Sequence, residues 1–304
     1  MKLSTKALLS VLLAGILWGC IGLFAKHLNA AGLDAMQITG IRAVFAGAVF
    51  LVCGLLRRGV ALRVKLRDLW LFAGMGIVSV VLFNLCYFDT MQHSEASAAV
   101  VLLYTSPVFV MLLSAVIYRE RITLRRVTAL LLTLCGCVLV AGLLGSGVRL
   151  TPRVLATGLG SGLFYALYTI FGRAALKRTD TVTATVWTFI FAAAGALPIM
   201  KPAETAAQIS HAPALIFWAL GITVFCTVLP YFFYTWGLRH MDAGKAAILV
   251  AVEPLVGAVL GMTVLHESHG ILKICGIALI LTAVVLLGTE HPQGGDVQAA
   301  QPEK

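Results

Sequence analysis

Two residues of opposite charge stand inside long apolar runs of the sequence, where charged side chains are rare. Glu253 lies near the middle of an apolar segment at residues 242–264, and Arg42 lies in another at residues 35–56. A carboxyl group there can exchange a proton or bind a cation, and a guanidinium can bind a carboxylate with two hydrogen bonds. Structural roles stay open as well. The two charges could neutralise each other, Glu253 could bond to unpaired backbone, or Arg42 could extend toward water.

A second group of residues combines aromatic rings with hydrogen-bonding groups inside the same kind of apolar run. Such a group suits a pocket for a zwitterion, a cation or an apolar metabolite, because it offers ring faces beside polar atoms. The alternative is a belt of aromatic side chains at a lipid–water boundary. The predicted cavity residues are Trp18, Asn84, Tyr87, Tyr104, Ser106, Tyr165, Tyr168, Tyr231, Tyr234 and Glu253.

Two prolines interrupt apolar runs at equivalent places in the two halves of the chain. Pro107 and Pro254 each lack an N–H, which frees the carbonyl of Leu103 or Val250 four residues earlier. A free carbonyl at membrane depth must find a partner or line a wet cavity. We therefore expect hinges at these prolines beside a cavity, with a static kink as the alternative.

The sequence gives little support for a metal site, a phosphate-binding site or an enzymatic site. The run His266-Glu267-Ser268-His269 places its histidines three residues apart, whereas a metalloprotease helix needs a spacing of four. The sequence also lacks a glycine-rich phosphate loop, a nucleophile elbow or a pair of catalytic carboxylates. We expect no metal, no cofactor and no enzymatic activity.

Composition explains what must position these residues. Of 304 residues, 60% are hydrophobic and only 12% are charged, which is far too apolar for a soluble domain. Runs of about 20 apolar residues are long enough to cross a bilayer as helices. Ten such spans are predicted, at residues 7–26, 35–56, 69–91, 95–117, 124–144, 153–173, 181–200, 213–238, 242–264 and 270–288.

The distribution of Lys and Arg predicts the orientation. Most of these residues fall at the termini and in the loops that share one side of the membrane, which is the pattern of cytoplasmic loops. We therefore expect a multi-pass protein of the cell (plasma) membrane with cytoplasmic N- and C-termini. The net charge of +10 reflects this topology, so no nucleic-acid partner is expected. Residues 289–304 are predicted to form a disordered cytoplasmic tail.

The two halves of the sequence resemble each other at an offset of 147 residues. The matching pairs include Gly15/Gly162, Trp18/Tyr165, Tyr87/Tyr234, Pro107/Pro254 and Glu120/Glu267. Five spans in each half make the second half enter the membrane from the opposite side. We therefore predict two inverted five-helix repeats, at residues 7–144 and 153–288, with a site between them near the midplane. Glu120 and Glu267 are expected to accept hydrogen bonds from the start of the next helix.

The motifs in both halves resemble those of the EamA family of the drug/metabolite transporter superfamily. The run Ala96-Ser97-Ala98-Ala99, then Ser106-Pro107, then Arg119-Glu120-Arg121 recurs as Ala243-Gly244-Lys245-Ala246, Glu253-Pro254 and His266-Glu267. The family more often has Gly-Glu where this chain has His266-Glu267. The resemblance covers nearly the whole chain and implies ten spans with cytoplasmic termini.

The resemblance and the repeat together predict a secondary transporter that works by alternating access. Export of a small organic metabolite, such as an amino acid, is the leading interpretation, with protons as a candidate coupling ion through Glu253 or Arg42. Import of a metabolite or amine is the alternative, and a passive channel is a less favoured one. The expected partners are the lipid bilayer and a small-molecule substrate, and the chain is expected to act as a monomer or a homodimer.

Overall fold

The protein is built from helices arranged along the chain. The computed structural model describes residues 3–57, 62–144, 150–264 and 270–290, and the regular structure within these ranges is helical throughout. The helices are α1 Leu3–Ala30, α2 Ala35–Leu56, α3 Leu66–His93, α4 Ala96–Tyr118, α5 Leu124–Val140, α6 Pro152–Leu176, α7 Thr181–Ala196, α8 Pro202–His211, α9 Ala214–Leu238, α10 Ala243–Thr263 and α11 Ile271–Gly288.

Several helix starts are fixed by capping side chains. Asp34 accepts a hydrogen bond from the Gln37 backbone while the Gln37 side chain binds back to Asp34, which forms a capping box at the start of α2. Asp180 accepts from the backbone of Val182 and Thr183 at the start of α7. These local signals explain why the helices begin close to the predicted boundaries.

Among the described residues, eight helices, all except α5, α7 and α8, are long and apolar enough to cross a membrane. The chain is therefore an all-α, multi-pass membrane protein. The helix α7 is apolar but has only 16 residues, and α5 has 17. At 1.5 Å per residue, 16 residues reach about 24 Å, which is shorter than the roughly 30 Å of hydrocarbon in a typical bilayer. The count of ten spans and the cytoplasmic position of both termini stay predictions.

The helices that contain Pro107 and Pro254 are each built from two segments. In α4, Ala96–Leu103 and Ser106–Tyr118 are separated at Tyr104 and Thr105, and in α10 a tight turn at Val250–Val252 precedes Glu253–Thr263. Pro107 and Pro254 thus lie in the first turn of a new segment, where a missing N–H is tolerated. The Thr105 hydroxyl donates to the Leu102 carbonyl at 2.6 Å and satisfies one group at the break.

Within the described ranges, two helices contain wide turns of π-helix. These segments are Gly74–Leu82 in α3 and Val224–Val228 in α9. Hydroxyl groups stabilise both, because Ser79 donates to the Gly74 carbonyl at 3.1 Å and Thr227 to the Ile222 carbonyl at 3.3 Å. Such segments often occur at functional sites, since they leave backbone groups open to other partners.

Helices from the two predicted halves pack against each other reciprocally. The helix α1 packs against α9 and α10, while α6 packs against α3 and α4; α2 pairs with α7, and α5 pairs with α11. An approximate two-fold relation between residues 7–144 and 153–288 would produce this pattern. The inverted repeat itself stays a prediction.

Candidate functional site in the central cavity

A cavity of about 490 Å³ lies among the helices of the two predicted halves. Most of its lining is apolar or aromatic, and side chains come from α1, α2, α3, α4, α5, α6, α7, α9 and α10. Asn29 and Met91 lie at its exposed mouth, whereas Trp18 and Tyr104 are buried deeper inside. The cavity therefore opens toward the end of the protein where α1 and α3 finish.

Glu253 lines this cavity at the first residue of the second segment of α10. Its carboxylate oxygen Oε2 lies 3.5 Å from the Tyr165 hydroxyl of α6, which donates a hydrogen bond to it. The Tyr104 side chain of α4 is a second polar neighbour of this carboxyl group. Glu253 is half-buried, so it stays reachable from the cavity. The second segment of α10 thus presents a carboxyl group to the cavity between two tyrosines.

Arg42 lines the same cavity and is held by the π-helical turn of α9. Its Nε donates to the Thr227 hydroxyl oxygen at 2.9 Å, and its Nη2 donates to the Cys226 carbonyl at 3.2 Å. The wide turn leaves that carbonyl able to accept a side-chain donor. The sequence alone could not reveal this anchor, because it depends on the local winding of a different helix.

The two cavity charges do not neutralise each other in this structure. Among the described residues, neither Arg42 nor Glu253 forms an ion pair, although each lies close enough to influence the other electrostatically. Holding a partly buried ionisable group by hydrogen bonds, with no ion pair, is costly, and such groups are typical of sites that bind ions or substrates. The arrangement differs from the static buried pair that the sequence also allowed.

Aromatic rings form one wall of the cavity around Trp18. Its ring centroid lies 5.1 Å from that of Tyr231 and 6.5 Å from that of Tyr165, with edge-to-face geometry in both cases. Phe83 packs edge-on against Tyr165 at 5.2 Å. Such clustered rings present both faces and edges, which can hold a cation or an apolar group.

The structure brings most of the predicted site residues together at the cavity. Those that line it are Trp18, Arg42, Asn84, Tyr87, Tyr104, Tyr165, Tyr231, Glu253 and Pro254. The residues that do not line it are Ser106, Pro107, Tyr168 and Tyr234.

The excluded residues serve helix packing instead. The Tyr168 hydroxyl bonds to the Thr235 hydroxyl at 2.9 Å, and the Tyr234 hydroxyl bonds to Thr169 at 2.7 Å. These two bonds join α6 to α9 in the buried core. Ser106 is also buried, at the start of the second segment of α4. Helical periodicity could not separate the two groups, because the face that meets the cavity is decided by tertiary packing.

Sequence reasoning missed several polar lining residues. Thr39 lies one turn before Arg42, and its hydroxyl donates to the Asn84 Oδ1 atom at 3.3 Å. The Asn84 side chain also donates to the Val80 carbonyl at 2.7 Å, so its amide is fixed at both ends. The three-residue spacing of Thr39 and Arg42 on α2 was the available signal, since it places both on one helical face.

A cluster of charged residues joins five segments at the other end of the helices. Glu120 accepts hydrogen bonds from the backbone of Ala243 at 2.8 Å and Gly244 at 3.1 Å. Arg173 lies 3.4 Å from Glu120, and Arg126 lies 2.5 Å from Asp242 and 3.3 Å from Glu290. We refer to Glu120, Arg126, Arg173, Asp242 and Glu290 as the ionic cluster.

Two sequence expectations change at the ionic cluster. Glu120 binds the start of α10, in the other half of the chain, rather than the start of the helix that follows it. The sequence predicts a disordered tail that includes Glu290, yet the Glu290 side chain is only 7% exposed and contacts Arg126 and Lys245. Residues 291–304 lie outside the described residues, as does Glu267, so the expectations for them stay predictions.

The ionic cluster closes the end opposite the cavity mouth. The helix α4 runs from Val100 and Tyr104, in the cavity wall, to Glu120 just beyond its last residue. Likewise, α10 begins beside Asp242 and reaches Glu253 in the cavity. The structure therefore has one open end and one end closed by charge pairs between the two predicted halves.

Metal chemistry finds no support in the part of the chain that the structure describes. No group of three or more His, Cys, Asp or Glu residues there could hold a metal ion. The His266 to His269 run lies outside the described residues.

Comparison with known proteins identifies the kind of molecule. The EamA-like transporter family matches residues 5–142 and again residues 153–289. An uncharacterized inner membrane transporter of Salmonella typhimurium, YicL, is 26% identical over 289 residues, covering 94% of this chain and 96% of that protein. An uncharacterized transporter of Archaeoglobus fulgidus is 26% identical over 286 residues, covering 92% and 96%.

A solved structure is also similar in fold. This crystal structure of a protein superposes with a TM-score of 0.77 at 19% identity, and the match covers 92% of this chain and 95% of that one. At this identity the likeness supports the fold alone. The apolar helices and the family relatives indicate a multi-pass protein of the plasma membrane, in contact with the bilayer and with a small-molecule substrate. Because the family matches nearly the whole sequence, the chain belongs to the EamA-like transporter family and is a membrane transporter rather than an enzyme.

Proposed function

We propose that this protein is a secondary transporter that exports a small organic metabolite, such as an amino acid, by alternating access. The observation that carries the proposal is the pair Arg42 and Glu253, which line one cavity without forming an ion pair. A cavity of about 490 Å³ lies within the usual size range of small-molecule sites. The cavity is enclosed by one chain, so a monomer can hold the site whether or not it dimerises.

The two charges suit a zwitterion. The planar guanidinium of Arg42 can bind a carboxylate with two parallel hydrogen bonds, after it exchanges its bonds to Thr227 and the Cys226 carbonyl. Glu253 can bind an ammonium group, and the rings of Trp18 and Tyr231 offer a surface for the rest of the molecule. The substrate would then neutralise both charges as it leaves water.

Alternating access requires that the two ends of the cavity open in turn. In the predicted topology the open end faces the outside, and the ionic cluster closes the cytoplasmic end. If the two inverted halves exchanged their conformations, the ionic cluster would break and the cavity mouth at Asn29 and Met91 would close. The prolines at the breaks of α4 and α10 are the proposed hinges, since each lies where the regular α-helix is already interrupted.

Proton coupling through Glu253 extends this proposal. A proton and a cationic substrate group compete for the same carboxylate, so one can replace the other at each turn of the cycle. Tyr165 supports the charged form by donating to Oε2. A proton entering from outside would then release the exported substrate.

Counterflow in proteoliposomes tests the proposal. Vesicles are loaded with unlabelled amino acids and amines, and uptake of labelled pools is measured for wild type, Glu253→Gln and Glu204→Gln. Glu204 is a matched control, because its carboxylate is 63% exposed and pairs with Lys201 at the surface. We expect saturable exchange in wild type and Glu204→Gln, and at least a tenfold loss in Glu253→Gln. Flux without saturation or exchange would indicate a channel instead.

Two further experiments test proton coupling and the direction of transport separately. An imposed pH gradient should drive transport by wild type but not by Glu253→Gln, and gradient-driven transport by the variant would contradict the proton role. Uptake into inverted membrane vesicles, compared with right-side-out vesicles, distinguishes an exporter from an importer.

A further inference from the structure

A second cavity of about 540 Å³ lies at the start of α3, away from the central cavity. It is formed by the segment that leads into α3 and by the short link between α6 and α7. The residues that line it are Arg63, Val64, Lys65, Arg67, Asp68, Phe72, Arg178 and Thr179. None of them lines the central cavity.

The charge of this second cavity is strongly positive. Among the described residues that line it, the one acid is Asp68, which is buried and already bound by Arg178, so its charge is compensated. Arg67 lies 4.0 Å from Asp68 with its side chain 76% exposed. Arg63 and Lys65 are exposed, and neither forms an ion pair with any residue that the structure describes. Two to three cations are therefore available to an anionic ligand.

Exposed apolar side chains flank the basic residues on the first turns of α3. Leu66 is 85% exposed and Trp70 is 57% exposed. The Trp70 ring packs edge-on against Phe171 at 6.0 Å, which fixes its position. The Trp187 ring nitrogen donates to the Leu62 carbonyl at 3.0 Å and so anchors the segment that leads into α3 to α7. Basic groups followed by exposed Leu and Trp are typical of the membrane interface.

We propose that this second cavity binds the phosphate headgroup of an anionic phospholipid. Arg63 and Lys65 contact the phosphate, and Leu66 and Trp70 contact the upper part of the acyl chains. Basic pockets between membrane helices bind such headgroups, because a fixed group of cations adds to the attraction of the charged surface. The apolar flank favours a lipid over free phosphate, since free phosphate gains nothing from Leu66 and Trp70. The site is independent of the transported substrate.

Native mass spectrometry of the full chain in detergent tests this site. Protein is titrated with phosphatidylglycerol, with phosphatidylcholine and with inorganic phosphate, for wild type, Arg63→Gln/Lys65→Gln and Arg121→Gln/Arg239→Gln. The last variant is a matched control, because it removes two exposed cations that lie outside the cavity. Both variants change surface side chains, so both should fold.

We expect phosphatidylglycerol to bind wild type and the control more tightly than phosphatidylcholine. The Arg63→Gln/Lys65→Gln variant should lose about tenfold or more in phosphatidylglycerol affinity and keep its phosphatidylcholine binding. Equal losses in the two variants, or no preference for phosphatidylglycerol, would overturn the proposal. Displacement of the lipid by equimolar inorganic phosphate would overturn the lipid assignment and identify a free-phosphate site.

Discussion

Gly15 of α1 lies directly against the Val250 carbonyl of α10, where a Cβ atom on the glycine would approach that oxygen to 2.7 Å. Gly162 of α6 has the same relation to α4, because its Cβ would lie 2.9 Å from the Leu102 carbonyl. Each glycine allows a helix of one predicted half to contact the broken helix of the other half. An inverted repeat would produce such a pair of equivalent contacts, each between a glycine of one half and the interrupted helix of the other half.

Replacing either glycine by alanine should destabilise the fold. The new methyl group of Gly15→Ala or Gly162→Ala must displace backbone, and such overpacking typically costs about 1–3 kcal/mol. The measurement is the thermal unfolding midpoint of the purified variants in detergent. Gly160→Ala is the control on α6, since its nearest neighbour is the Cys86 sulfur at an ordinary 3.6 Å. Equal midpoints for Gly160→Ala and Gly162→Ala would show that this close approach does not matter.

The hydrogen bond from Tyr165 to Glu253 should contribute to substrate affinity. Tyr165→Phe keeps the ring packed against Trp18 and Phe83 but removes the donor. A hydrogen bond of this kind contributes about 0.5–1.5 kcal/mol. The half-saturating substrate concentration in counterflow should therefore rise by roughly twofold to tenfold in Tyr165→Phe. Tyr168→Phe removes a similar bond outside the cavity and should leave that concentration unchanged. A matching change in Tyr168→Phe would contradict the boundary of the site.

Arg42→Lys should discriminate between substrates. Lysine keeps the charge but loses the planar fork that binds a carboxylate at two points. We expect about a tenfold loss of affinity for amino acids and little change for amines without a carboxylate, measured by competition in counterflow. Arg153→Lys is the control, because Arg153 forms an exposed pair with Asp89 outside the cavity. An equal loss for both classes of substrate would assign Arg42 a structural role.

The ionic cluster should hold the closed end together. Arg126→Gln removes the guanidinium that Asp242 and Glu290 share and leaves only their longer pairs with Arg173 and Lys245, both at 3.7 Å. Removing one member of a buried pair can cost about 3 kcal/mol. Hydrogen exchange should become faster at the start of α10, where Asp242 precedes Ala243. Arg153→Gln breaks only the exposed pair with Asp89 and should leave exchange unchanged there. Unchanged exchange in Arg126→Gln would mean that the ion pairs of Arg126 do not hold this end closed.

The sequence predicted the helical membrane fold and the two central charges for a simple physical reason. Long apolar runs and the rare charges within them are local signals of the sequence. A charged side chain at membrane depth almost always faces the protein interior or a water-filled cavity. Arg42, Glu253 and Trp18 were therefore identified from composition and spacing, and all three lie at the cavity.

Long-range partners could not be predicted in the same way. Tyr168 and Tyr165 differ by less than one helical turn, yet one packs in the core and the other meets the cavity. The binding of Glu120 to Ala243 joins residues far apart in the chain, and the anchor of Arg42 depends on a π-helical turn. These features arise from tertiary packing, for which helical periodicity carries no information.

The most direct test of the transport proposal is to lock the closed end covalently. A Cβ atom on Gly244 of α10 would lie 3.6 Å from the Ser114 hydroxyl oxygen of α4, which suits a disulfide in Ser114→Cys/Gly244→Cys. Counterflow is measured in this variant before oxidation, after oxidation and after reduction, with Ser114→Cys alone as the control. Alternating access predicts that oxidation abolishes exchange in the double variant and that reduction restores it. Undiminished exchange by the oxidised, cross-linked protein would contradict it.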